Sequence, residues 1–235
     1  MDSKKLSSTA QKATDNLYHV ILTTSQVPRD PKDHTEKVRV VGTYDNHCAA
    51  KKRAQTFIRD CGPRRMTFST YEVRDSIFDE DKHSTDYDPG VKELFFHAVN
   101  YDGTVYRLET NTTPNDLGLC SYDPEGLIDV PLFFSITASR ASSKDEMMCD
   151  VSVEGAFLSY ECAREFANDD LLLDGAMRDR FHRYNKALFN EKQCGHGKNV
   201  VAHADGTDGE QFFVAVIASW NSNILEWNHA VLESS

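Results

Sequence analysis

Slid along itself by 113 positions, the chain lays Val38–Tyr71 over Val151–Tyr184 without a gap, and nine of the 34 positions are identical. The identities are Val38/Val151, Val40/Val153, Gly42/Gly155, Ala50/Ala163, Ala54/Ala167, Gly62/Gly175, Arg65/Arg178, Phe68/Phe181 and Tyr71/Tyr184. At about 6% identity per position, average composition gives about two by chance. Upstream, Leu17-Tyr18-His19-Val20-Ile21 pairs with Leu132-Phe133-Phe134-Ser135-Ile136. Downstream, His97-Ala98 and Asp102-Gly103 pair with His203-Ala204 and Asp208-Gly209, so both halves read H-A-x-x-x-D-G before an apolar stretch. The pieces keep their order in both halves, which predicts an internal duplication. Whatever one half folds into, the other must also be able to form.

The matched positions carry structural meaning. Leu17–Ser25 is rich in β-branched residues and reads as a strand, followed by a second strand through Val38 and Val40 that ends at Gly42. Asn46 and Ser159 are aligned helix N-caps, whose side chains accept bonds from otherwise unpaired N–H groups. Ala50 with Ala54, and Ala163 with Ala167, put small residues four apart on one helical face. A helix with such a face can lie close on a sheet. Gly62 and Gly175 stand where a left-handed helix stop is expected. Phe68–Val73 reads as a third strand, whereas the equivalent Phe181–Phe189 reads as either strand or helix. Asp102-Gly103 and Asp208-Gly209 then sit at the tips of hairpins. Each copy is a β-β-α-β-β-β unit of roughly 95 residues.

The division that follows is an N-terminal arm over 1–15, a first repeat over 16–112, a Pro- and Gly-containing connector over 113–131, a second repeat over 132–219 and a tail over 220–235. In the tail, Asn223 is placed to cap a short helix carrying Ile224, Trp227 and Val231. The fold class expected is α+β, two tandem copies of a mainly antiparallel sheet with one helix on a face. Such a sheet buries one face under its helix and needs cover for the other. Packing the copies together about a pseudo-two-fold axis supplies that cover.

A formal charge of −11 argues against nucleic acid, because no positive surplus exists to displace counterions from phosphates. No apolar run approaches the roughly 20 residues of a membrane helix, so no membrane partner is expected. The polar start Met1–Thr9 has no apolar segment behind it, and cytoplasmic localisation is the expectation. Six cysteines without C-x-x-C spacing read as reduced, mostly buried thiols rather than a disulfide framework.

His97 and His203, related by the duplication, are the candidate ligand-binding residues, although equivalent strand positions explain them as well. Hairpin geometry accounts for both Asp-Gly pairs. Cys194-Gly195-His196-Gly197 places a thiol beside an imidazole, but adjacent residues on glycine hinges seldom point at each other. The cluster Lys51-Lys52-Arg53 with Arg59, Arg64 and Arg65 reads as a solvated helix face, and Trp220 and Trp227 as packing for the tail. No nucleophile elbow, phosphate loop, dinucleotide fingerprint or zinc-protease motif occurs, so no catalytic residue, metal or cofactor is assigned. The reading is a non-catalytic cytosolic binding or protein-interaction module with an unidentified protein partner or small ligand. The alternative is an enzyme or small-molecule binder with its site in the cleft between the repeats.

Overall fold

A computed structural model describes residues 13–26, 35–61, 68–74, 92–140, 149–169, 181–187, 194, 199–207, 209–219 and 223–226. The first unit runs β1 (Asn16–Gln26), β2 (Thr35–Tyr44), α1 (His47–Cys61), β3 (Phe68–Val73), β4 (Lys92–Asn100) and β5 (Val105–Pro114). The second runs β6 (Phe133–Arg140), β7 (Cys149–Phe157), α2 (Tyr160–Asp169), β8 (Phe181–Lys186), β9 (Val200–Gly206) and β10 (Gln211–Ala218), and β11 (Asn223–Glu226) follows. The sheets have the orders β11-β2-β1-β5-β4-β3 and β7-β6-β10-β9-β8, with antiparallel neighbours throughout. Counted within each unit, both place the second strand beside the first, then the fifth, fourth and third. This is an α+β fold made of two similar units.

The likeness extends to irregularities. Between Val20 and Ile21 the ladder skips Val41 on β2, and between Ser135 and Ile136 it skips Glu154 on β7. The third strand of each unit bulges at Ser69 and at His182. The fourth bulges at Phe95 and at Val201. After the first bulge come Gly42 and Gly155. A Cβ at Gly42 would lie 2.8 Å from the Tyr44 ring, and one at Gly155 would lie 2.9 Å from the Phe157 ring. Both glycines leave room for an aromatic ring two residues on.

Local signals in the sequence become visible contacts. Asn46 Oδ1 accepts from Ala49 N at 3.2 Å and Ser159 Oγ from Cys162 N at 3.2 Å, each satisfying a first-turn amide. Ala50, Ala54, Ala163 and Ala167 are buried against the sheets. Gly103 and Gly209 close their hairpins at φ 87° and 79°. Phe181–Lys186 is a strand, which settles the ambiguity of that segment.

The chain stacks as helix, sheet, sheet, helix. α1 covers Tyr18, Val20, Phe95, Phe96 and Leu108, and α2 covers Val201, Ala204, Val214 and Val216. The opposite faces meet in a third core, where Leu17, Ile21, Val38 and Val40 pack on Phe134, Ile136, Val151, Val153, Phe213 and Ile217. No helix among the described residues is long and apolar enough to cross a membrane.

Two expectations are corrected. The tail segment Asn223–Glu226 is a strand, not a helix, and pairs antiparallel with Val38–Thr35 of β2. The other end of that edge is covered by the connector, through Asp45 N to Gly126 O (3.1 Å) and Ile128 N to Thr43 O (2.9 Å). The tail therefore answers a demand that a helix could not meet, the pairing of an open sheet edge. Second, the cysteines are not mostly buried. Of the five whose side chains are described, Cys149 is buried, Cys120 and Cys194 are half-buried, and Cys48 and Cys162 are exposed in the first turns of α1 and α2. Residues 1–12 and 79–90, together with Gly62, Gly175, Arg64, Arg65, Arg178, His196, Asp208, Trp220 and Trp227, lie outside the described residues.

Candidate functional site

His97 and His203 occupy equivalent positions in separate sheets. His97 is half-buried on β4, in register with Arg107 on β5 and Glu72 on β3. His203 is buried on β9, its Nε2 3.4 Å from Asp205 Oδ1 and its ring 4.6 Å from that of Phe213. Each is placed by the ladder of its own sheet. Among the described residues no cluster of three or more His, Cys, Asp or Glu side chains is arranged to hold a metal ion. Cys194 packs at the edge of the core between the sheets.

That core holds polar groups the sequence reading did not single out. Arg107 Nη1 donates to Cys149 O at 3.3 Å, and Asn111 Oδ1 accepts from Val153 N at 2.9 Å. Two β5 side chains four residues apart thus meet two backbone groups four residues apart on β7. Among the described residues β7 has no strand on its outer side, and these side chains take up edge groups that would otherwise need water. Arg107 Nη2 also donates to Glu109 Oε2 at 3.4 Å, and Lys92 Nζ lies 2.9 Å from Asp150 Oδ1. Burial raises the Glu109 pKa, against the pull of Arg107 and Lys92. Burial also raises Cys149 well above the usual thiol range, with Glu36 and Asp150 adding to it. This thiol stays protonated, and the thiolate is the nucleophilic form.

One signal in the sequence could have revealed this row. Thr23, Ile21 and His19 pair with Arg107, Glu109 and Asn111, and their equivalents Ala138, Ile136 and Phe134 pair with Phe213, Ala215 and Ile217. Apart from Ile21 and Ile136, one unit is polar where the other is apolar, at positions whose period points into a core.

An open concavity among the described residues lies elsewhere, between α1 and the connector, with a volume of about 690 Å³. Tyr44, Asn46, Lys52, Arg53 and Thr56 line one wall, and Tyr122, Asp123, Pro124 and Glu125 the other. The connector wall is built rigidly. Asp45 Oδ2 accepts from Ser121 N at 2.8 Å, Asp123 Oδ1 accepts from Glu125 N at 3.0 Å, and Gly126 N donates to Asp123 O at 2.9 Å. Gly126 has φ 72°, and a Cβ there would lie 2.9 Å from Asp45 Oδ1, so glycine is required on both counts. On this frame the Tyr122 side chain stands 97% exposed. Burial raises the Tyr44 pKa, Arg53 opposes the rise, and Glu125 and Asp123 add to it. Cations on the helix wall and carboxylates on the loop wall therefore act on one floor. Such a site suits contacts with a partner bearing both signs and an aromatic-accepting surface.

No protein-family model matches this chain, and no curated protein sequence or solved structure matches it.

Proposed function

We propose that this chain is a non-catalytic binding or protein-interaction module, built by internal duplication about a pseudo-two-fold axis, and that it engages its partner through the groove between α1 and the connector. The observation that carries the binding role is Tyr122, a large aromatic held almost wholly in solvent by a rigid loop beside charges of both signs. Aromatic and arginine side chains dominate the energetics of interfaces. The duplication is supported by the shared strand order and the three shared bulges. The axis is supported by His19 and Phe134, equivalent residues in contact, as residues lying on a two-fold must be. The filling of the space between the units by Ile21, Val38, Phe134, Ile136 and Ile217 weighs against an enzyme there. A cytosolic setting belongs to the same proposal and is supported by the sparse cysteines, six in 235 residues without C-x-x-C spacing.

The test is capture from native lysate with wild type, Tyr122→Ala and Arg53→Glu, followed by the shift in Tm that each captured species produces. The reading expects both substitutions to abolish capture and the accompanying shift while the unliganded Tm stays within a few degrees. Capture that survives both substitutions contradicts it.

A further inference from the structure

His19 is fully buried in the core between the two sheets. Its Nδ1 lies 3.0 Å from Thr43 Oγ1 on β2, and its Nε2 lies 2.8 Å from Thr113 Oγ1 on β5. Its ring meets Phe134 of the second unit edge to face, with centroids 5.2 Å apart. A threonine hydroxyl donates or accepts, so the pair holds the neutral ring in either tautomer. Neither hydroxyl carries charge. The charged and titratable groups on the elements packed here are Glu36, Lys37 and Arg39 on β2, Lys92, Glu93 and His97 on β4, Arg107 and Glu109 on β5, Arg140 on β6, and Cys149, Asp150 and Glu154 on β7. Glu109 pairs in register with Ile21, two residues beyond His19, and is engaged with Arg107. The polar partners of the ring among the described residues are the two threonines.

We propose that His19 is an acid-sensitive latch between the units: a proton on its ring, sealed against Phe134 with no counter-charge on it among the described residues, drives the sheets apart and uncovers their apolar inner faces. Burial holds its pKa at about 3, whereas a water-exposed histidine titrates near 6.5. The open form therefore takes up a proton that the closed form refuses. Across the window from about 6.5 down to about 3, the opening constant rises about tenfold for each unit of falling pH. Glu109 works in the opposite direction, because its raised pKa lets the closed junction take up a proton first. The contribution of His19 must therefore be read by difference.

The experiment follows the full chain from pH 7 to 4 by far-ultraviolet circular dichroism and by binding of an apolar dye, 1-anilinonaphthalene-8-sulfonate. Wild type, His19→Phe and His19→Gln are compared, phenylalanine being the residue at the equivalent position of the second unit. The latch predicts that wild type binds dye on acidification while its β signal persists. It also predicts that both variants bind dye only at least one pH unit lower. Dye binding at the same pH in all three chains would overturn it. So would a wild-type β signal that collapses together with the rise in dye binding, an outcome read on wild type alone even where a variant fails to fold.

Discussion

His19 and Phe134 meet with ring centroids 5.2 Å apart at an interplanar angle of 72°, and they hold the same place in the first strands of the two units. The contact lies in the core where both sheets hide the faces their helices leave open. Its two sides have diverged. The first unit brings His19, Arg107, Glu109 and Asn111 to this face, while the second brings Phe134, Phe213, Ala215 and Ile217. The difference follows from the sheet edges. The outer edge of β2 is paired by β11 and the connector, whereas that of β7 relies on side chains from β5.

Asn111→Ile tests this division of labour, since isoleucine is the residue at the equivalent position on β10. The substitution leaves Val153 N–H without its acceptor and should cost about 1–3 kcal/mol in urea unfolding. Hydrogen exchange at the Val153 amide should accelerate. Unchanged stability with unchanged exchange would mean that β7 does not depend on β5 for its edge.

Glu109→Gln should change the pH dependence of stability in a defined direction. The folded-state pKa of Glu109 is raised, by burial first, so the native state binds its proton at higher pH than the unfolded chain does. Wild type gains stability as pH falls through that range, and the glutamine variant does not. The stability of wild type relative to the variant should therefore increase between pH 7 and about pH 4.5 in urea titrations. A constant or shrinking difference would contradict the assignment.

Gly42→Ala and Gly155→Ala should each destabilise by about 1–3 kcal/mol, because the new methyl forces an aromatic ring to move in a packed core. The obstacles are the rings of Tyr44 and Phe157. Thermal unfolding of the single and double variants checks this. Near-neutral effects at both sites would remove the steric reason for the shared glycine.

What the sequence made legible was local chemistry. Asn46 and Ser159 announce helix starts, the alanine pairs announce the face laid on a sheet, and Gly103 and Gly209 need the positive φ that their hairpins supply. The comparison of the two halves supplied the rest of each unit, because every matched position was read twice. What stayed hidden was long-range. Nothing near Asn223 tells that its segment pairs with Val38, some 185 positions away, for that choice is made by the open edge of β2 and not by the tail. The groove escaped notice for a similar reason. Lys52 and Arg53 looked like a solvated face until the connector placed Asp123 and Glu125 opposite them. His97 and His203 stood out by repetition, yet repetition marks shared architecture as readily as shared chemistry.

The most direct test of the shared core is to produce residues 1–114 and 115–235 as separate chains and melt each alone and after mixing. If the faces that carry Ile21 and Ile136 depend on one another for burial, neither chain alone gives a cooperative transition, and mixing restores one. Two halves that each unfold cooperatively, with no change on mixing, would contradict the account.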